Sequence, residues 1–501
     1  MAMSSAPRAR LADETMRELV VVGAGPAGMA AADAASRRGV AVTLIDSASR
    51  LGGQIYRQPL CDPDGSGPSR PAGPALPARF RSLQNLHVEM MLGVSVWSAS
   101  RGPNGFTLRL DAMSGGRDTT VDAQALVLAT GASELVLPFP GWELPGISTA
   151  GAAQALLKSQ HVLVGRRVLV AGSGPFLLPV AASLADSGAK IVAVVEACSP
   201  SQKIVKLAHV LRYPSKVAET LGYVQRLAIH RVPFLSSSAL IRCEGNDRVQ
   251  RAVVARLDRG WVPIPRSERF FEVDAACVSF GFVPRLELCR QLALEDSHDG
   301  VHPSASAVHG ALMATSVPGV FVAGELTGVG GAVVAELEGR LAGHAAASYL
   351  GRAPGPVSKS ECEKVSSKLR RASSFADLLD EIYALQPGWT TWPTDSTILC
   401  RCEDVAWGTI RRAIDTGTRT VQAVRGLTRC GMGYCQGRTC GPALAMAIAA
   451  FTGACLGDSG DLHSRPVAIP VPLHEVAKWS NPWEFEASVG NASHRRDELK
   501  S

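Results

Sequence analysis

A chain of 501 residues has room for three or four domains of about 100–200 residues each. Its composition, 46% hydrophobic and 19% charged, is that of a globular protein able to bury a large core. A formal net charge of +6, spread over small clusters such as Arg37-Arg38, Arg370-Arg371 and His494-Arg495-Arg496, argues against nucleic-acid binding. No apolar run reaches the roughly 18–20 residues that span a bilayer, the longest being Ala443–Leu456 with Thr452 and Gly453 inside it.

Residues 1–17 contain no apolar core of signal-peptide length and read as a disordered arm. The chain is therefore expected in the cytoplasm, where Cys61, Cys198, Cys243, Cys277, Cys289, Cys362, Cys430 and Cys455 would be inert thiols. Leu19–Val22 is a short apolar run of the kind found in a central parallel strand. It enters Gly23-Ala24-Gly25-Pro26-Ala27-Gly28, a helix over Met29–Arg38, and a second strand over Val42–Ile45 that ends at Asp46. This is a dinucleotide-binding βαβ unit in its required context. Gly23 permits the turn, Gly25 admits a pyrophosphate, Gly28 lets helix and strand close, and the helix N-terminus faces the phosphates. Asp46, 18 residues beyond Gly28, is placed to accept from ribose hydroxyls. Leu51-Gly52-Gly53-Gln54 adds a second loop able to lie against a large cofactor. In this stretch the sequence resembles the flavoproteins with two dinucleotide domains, the glutathione reductase-like and amine-oxidase-like enzymes, in which the first unit binds FAD. Two further segments carry the same resemblance: Ala129-Thr130-Gly131 after the strand Ala125–Leu128, and Val320-Phe321-Val322-Ala323-Gly324-Glu325, whose acid would lie near the ribityl chain and pyrophosphate.

A second unit follows. The strand Arg167–Ala171 meets Gly172-Ser173-Gly174-Pro175-Phe176-Leu177, a helix to about Ala185, and a strand Ile191–Val195 ending at Glu196. Leu177 stands where a third glycine would be, which should displace the helix or the phosphate turn. Glu196 is placed for an adenosine ribose, and no arginine follows it to meet a 2′-phosphate. These residues admit NAD(H), another adenine nucleotide such as ATP, or no ligand. No CxxC or CxxxxC pair accompanies Gly53–Gln58 or the second unit, so disulfide chemistry at a flavin is not expected. No histidine or serine is spaced as part of a catalytic pair, and His209, His230 and His344 read as structural.

Arg242–Phe271 reads as hairpins with turns at Gly245-Asn246-Asp247 and Arg259-Gly260. Asp274–Pro284 is a strand leading back toward the first unit, and Gly328–Ala332 opens a helix over Val333–Leu350. Gly351–Ser360, rich in Gly, Pro and Ser, marks a boundary, and Lys364–Leu385 is a helical linker. Trp389 and Trp392 are expected to pack the last domain against the flavin domain.

That last domain carries Cys400-Arg401-Cys402 and, after a gap of 32 residues, Cys435 and Cys440 inside Gly431–Cys440. Four thiolates in one compact segment suit an iron–sulfur cluster or a zinc ion. Glycines at 431, 433, 437 and 441 would let backbone amides approach the sulfurs. Helical spacing recurs at Trp407–Thr416, Thr420–Thr428 and Pro442–Ala450. The C-x-C…C-x4-C pattern resembles the bacterioferritin-associated ferredoxin domain. By that resemblance Cys400, Cys402, Cys435 and Cys440 ligate a 2Fe–2S cluster, with Cys430 a bystander or an alternative ligand.

From about Leu19 to Leu473 the chain resembles the FAD-carrying α subunits of opine oxidases, hydrogen cyanide synthase and D-hydroxyproline or proline dehydrogenases. The stretches that carry this are the first glycine fingerprint, Gly281–Leu288, Val320–Gly331, Cys400–Val405, Gly431–Cys440 and the Pro-rich Arg465–Leu473. The implied fold is α/β: two Rossmann-like domains of glutathione reductase-like flavoproteins and a small α-rich C-terminal 2Fe–2S domain. The expected division is arm 1–17, FAD domain 18–150 and 265–350, second Rossmann-like domain 151–264, linker 351–394, cluster domain 395–457 and Pro-containing tail 458–501. The resemblance further implies a smaller D-amino-acid-oxidase-like FAD subunit that oxidises the substrate, relay of its electrons through flavin and cluster, and a respiratory acceptor. It allows an FMN at a subunit interface, a further small ferredoxin-like subunit, and membrane contact made through partners at the inner face. Two other readings stay open: an NADH-dependent flavoprotein reductase and a structural or regulatory subunit.

Overall fold

The computed structural model describes residues 16–59, 75–112, 119–199, 206–298, 305–352, 356–460 and 467–476, apart from 82, 84, 85, 87, 474 and 475. The expected arm, but for its last two residues, and most of the tail lie outside them. Strand β1 (Arg17–Val22) is buried over its last four residues, and its apolar run is explained by cover on both faces. It pairs in parallel with β2 (Val42–Asp46) and with β6 (Thr119–Leu128). Beyond β2 lies β3 (Val88–Leu92). Strand β6 serves two neighbours on its other side. Its first half takes antiparallel β5 (Gly105–Ala112), itself paired with β4 (Val94–Gly102), and its last residues take the parallel strand Val320–Val322.

Helix α1 (Pro26–Ser36) crosses from β1 to β2 and is buried almost all round, which its run of alanines permits. The helix Gly331–Tyr349 lies against it at backbone contact. A Cβ on Gly339 would stand 2.0 Å from the Ala27 carbonyl oxygen, and one on Gly343 2.3 Å from that of Ala31.

The second sheet is wholly parallel, in the order Phe234–Ser236, Lys190–Glu196, Arg167–Gly172, Ala275–Ser279, Ile147–Thr149. The expected boundaries at 151 and 264 therefore move outward, because Ile147–Thr149 and Ala275–Ser279 belong to this sheet. The antiparallel strands Ser238–Glu244, Arg251–Arg256 and Arg269–Glu272 return the chain to its centre, where Ala275–Ser279 is buried throughout.

The boundary expected over Gly351–Ser360 is shorter than it reads, since a helix runs from Pro356 to Ile382. Proline is tolerated in a first helical turn, where its missing N–H has no partner to lose. The two tryptophans do join domains, though to the second unit rather than the first. Trp392 stacks on Trp261 with ring centroids 6.1 Å apart and donates its indole N–H to the Trp261 carbonyl at 2.9 Å. Trp389 meets Trp407 of the cysteine-bearing domain at 5.6 Å. One apolar core consequently runs from Leu169 and Val195 of the second sheet through these rings to Val424 and Ile448.

Candidate flavin and cluster sites

The first nucleotide turn is fixed by steric necessity. Gly23 has φ +107°, and a Cβ there would sit 2.2 Å from the Ala129 carbonyl oxygen; one on Gly28 would sit 1.7 Å from that of Gly23. Gly53, at φ +56°, brings its loop so close that a Cβ would lie 2.8 Å from Gly25 Cα. The α1 N-terminus follows Gly25 with Pro26 in its first turn and has no side-chain cap, so its N–H groups are free to meet an anion. Asp46 accepts from the Ala24 N–H at 2.5 Å and from the Ala48 N–H at 2.7 Å. Burial pushes its carboxyl up, against the pull of those amides. Thr130 donates to the Arg285 carbonyl at 2.9 Å, and Gly131 accepts from the Arg285 N–H at 3.0 Å, tying this loop to the segment 281–288. Gly324, at φ +79°, lies against Ala27, where a Cβ would be 2.9 Å from its methyl group. The structure thus brings Gly23, Gly25, Pro26, Ala27, Gly28, Asp46, Gly53, Gln54, Thr130, Gly131 and Gly324 around one end of the parallel sheet. A cradle of this closeness fits a dinucleotide such as FAD.

Glu325 has a partner within the chain. Its carboxylate accepts from the Gly331 N–H at 3.0 Å, at the start of the helix Gly331–Tyr349, and burial pushes it up to about 7. Beside it lies a residue that no motif singles out. Glu338 accepts from the Gly324 N–H and the Thr327 hydroxyl, both at 2.8 Å, and burial pushes it too up to about 7. Lys158 was equally unannounced. It is 3% exposed and donates to the Gln54 and Ile55 carbonyls at 3.3 and 3.2 Å, steadying the Gly53 loop from the next domain. Burial, with Arg57 nearby, pulls its ammonium down to about 8. An i, i+4 spacing from Gln154, which it also reaches at 3.0 Å, is the one sequence signal it carries.

In the second unit Gly172, at φ +147°, would bring a Cβ within 1.7 Å of the Ser279 carbonyl oxygen, whereas Gly174 faces open space. Leu177 is buried and begins a helix to Asp186. Glu196 repeats the arrangement of Asp46, accepting from the Gly174 N–H at 3.3 Å and the Cys198 N–H at 3.0 Å. Unlike Asp46 it is covered by the chain itself. The Cys198 thiol donates to the Ile382 carbonyl at 2.8 Å and packs with Leu378 and Ile382. The Tyr383 hydroxyl is pushed up by burial and by Glu196 beside it.

The cysteine domain grips its sulfurs from three directions. Cys400 ends a short strand, Cys435 lies in a tight loop with Gln436 at φ +54° and Gly437 at φ +84°, and Cys440 opens the buried helix Cys440–Thr452. Together with Cys402 they line a cavity of about 180 Å³, whose other walls are Arg401 and Thr439. The Gly431 N–H points at Cys400 Sγ from 3.4 Å. Gly433 must be glycine, because a Cβ there would stand 2.3 Å from that of Cys402. Burial raises Cys435, but the Thr439 and Gly437 amides and the Cys402 thiol outweigh it. Four sulfurs with no carboxylate or imidazole among the cavity's walls fit a thiolate-bound 2Fe–2S cluster. Cys430, completely buried, lies outside the cavity wall but groups with Cys400 and Cys440, all three sulfurs within 4.8 Å of one another. The domain is pinned to the first by Arg438, which pairs with Glu287 at 2.8 Å in a largely buried contact.

Comparison with known proteins agrees with this geometry. Residues 17–348 match the family described as Pyridine nucleotide-disulphide oxidoreductase, and residues 398–450 match the BFD-like [2Fe-2S] binding domain. Hydrogen cyanide synthase subunit HcnB of Pseudomonas protegens is 33% identical over 84% of this chain and 89% of its own length. The A subunit of opine oxidase from Rhizobium meliloti is 31% identical over 93% of this chain and 99% of its own length. The solved L-proline dehydrogenase from P. horikoshii shares the fold, with a TM-score of 0.65 at 19% identity over 92% of this chain and 79% of that one. Both HcnB and the opine oxidase relative are named as subunits of larger enzymes. No helix among the described residues is long and apolar enough to cross a membrane. The chain belongs to the family of hydrogen cyanide synthase subunit HcnB and the opine oxidase A subunits, and is an oxidoreductase subunit for a flavin and a 2Fe–2S cluster.

Proposed function

We propose that this chain is the electron-relaying subunit of a heteromeric enzyme that oxidises a C–N bond of an amine or amino acid. The substrate is oxidised on a partner, a smaller D-amino-acid-oxidase-like FAD subunit, with FMN held at the interface and a small ferredoxin-like subunit completing the complex. The acceptor is respiratory and the assembly is cytoplasmic. The observation that carries the reading is the cavity lined by Cys400, Cys402, Cys435 and Cys440, in a domain that shares its apolar core with a flavoprotein body. Bound flavin supplies two-electron chemistry and a bound cluster one-electron chemistry, so the pair can divide electrons between unlike carriers. The chain's own part is to bind and insulate. Gly23, Gly25, Gly28 and Gly53 close on the dinucleotide, and Gly431 supplies an amide to a ligand sulfur. The candidate substrates are opines, glycine, proline and hydroxyproline, of which opines stand in the names of relatives.

Reduction by NADH is opposed by Glu196, which is 2% exposed, spends both oxygens on backbone amides and lies beneath the end of the chain's own long helix. The test is co-purification with the subunits expressed beside it, followed by a screen of opines, glycine, proline and hydroxyproline with a one-electron dye. Cys435→Ala is expected to lose the cluster, keep the flavin and reduce the dye at least about tenfold more slowly, a loss of roughly 1.4 kcal/mol in barrier terms. Full activity of that variant would sink the relay. Bleaching of the isolated chain's flavin by NADH would point instead to a self-contained reductase.

A further inference from the structure

The four cavity cysteines are not equivalent. Cys402 is exposed and Cys435 half-buried, whereas Cys400 and Cys440 are only 1% and 2% exposed. On the buried side, behind the cavity wall, sits the fifth thiol, Cys430. Its position is tightly held. It follows the helix Val421–Thr428, whose last residue accepts the Cys430 N–H at 3.2 Å. Arg429 and Gly431 on either side both have positive φ, +64° and +78°, so the turn aims the side chain inward. Its Sγ lies 3.8 Å from Cys440 Sγ, a distance suited to an S–H···S hydrogen bond.

We propose that Cys430 is a positioning residue for the cluster: its thiol donates a hydrogen bond to a buried ligand sulfur, that of Cys440. A donor aimed at a ligand sulfur favours whichever state carries more negative charge on sulfur, which is the reduced one. The Gly431 N–H acts on Cys400 in the same sense. The buried half of the ligand set therefore receives two internal donors, a role for Cys430 that rests on the cluster reading given above.

The test uses the full chain with its partner subunits, and reads the cluster's midpoint potential by dye-mediated titration followed by electron paramagnetic resonance. Cys430→Ala is expected to keep wild-type iron and sulfide content but to favour the reduced form about tenfold less, a fall of about 59 mV for one electron. Cys430→Ser, which restores a donor, is expected to recover most of that fall. An unmoved potential in Cys430→Ala, with the cluster present, overturns the proposal. So does loss of the cluster in both variants, which would make Cys430 a ligand. If the cluster survives in Cys430→Ser alone, a potential near wild type supports the donor role, and one far below it overturns it by marking an oxygen on the metal. A wild-type chain with no iron or sulfide at all would instead sink the cluster reading itself.

Discussion

A methyl group on Gly28 would sit 1.7 Å from the Gly23 carbonyl oxygen, in a turn whose backbone cannot yield without leaving the strand β1. Gly28→Ala should therefore purify with little flavin, read as visible absorbance per protein, and melt earlier, overpacking of this kind costing about 1–3 kcal/mol or more. This glycine was legible in the sequence because its role is local: turn, helix and strand are neighbours along the chain. Lys158 was not, because its partners Gln54 and Ile55 lie far away in sequence and contribute backbone carbonyls, which any sequence offers. Its titration gives a second prediction. The folded ammonium ionises at about 8 against an ordinary 10.5. Across that window the unfolded chain holds a proton the folded one has released, so stability rises as pH rises through it. The slope approaches about 1.4 kcal/mol per pH unit at most. Lys158→Met should flatten urea-unfolding stability between those two pH values, and should loosen the Gly53 loop at every pH.

At the scale of elements, the tryptophan contacts decide how the domains are joined. Trp392 loses a stacked ring and a buried hydrogen bond if truncated. Trp392→Ala should cost about 3–5 kcal/mol, and limited proteolysis should then cut between Tyr383 and Ile398 in a variant whose parent resists. That these residues join domains was legible from two large rings in a short stretch; which domain they join was not. The partner is Trp261, in a hairpin turn whose sequence signals only a turn. Helix ends show the same division. The paired strands near Gly245 were readable, whereas the helix from Pro356 was not, because what anchors it to the helix Gly331–Tyr349, such as the pairing of Glu361 with Arg340, is tertiary. The strand Ala275–Ser279 was visible as an element, but an apolar run between two sheets carries no mark of which one it joins.

The described residues form two βαβ units, each with its own covering helix, and a cysteine domain wedged against the second. The order of the two βαβ units and the cysteine-bearing domain after them were readable, because spacing in sequence is itself the signal. The contacts that set the units' arrangement were not, since Arg438 and Glu287 find each other only after the fold is made. Arg438→Met strands the buried Glu287 carboxylate and removes a donor from the Cys435 and Ala468 carbonyls, and should lower thermal stability by the equivalent of about 3–5 kcal/mol, with only partial restoration by Glu287→Leu in the double variant. The continuous core from Leu135 to Ile448 has a consequence for biosynthesis. The second unit completes its interior only once the helix Cys440–Thr452 has left the ribosome. From the synthesis of Trp261 until then, its ring and its neighbours should stay uncovered. A gene fragment ending before Trp389 should give inclusion bodies, and the cysteine domain, cut away by itself, should be no free-standing ferredoxin.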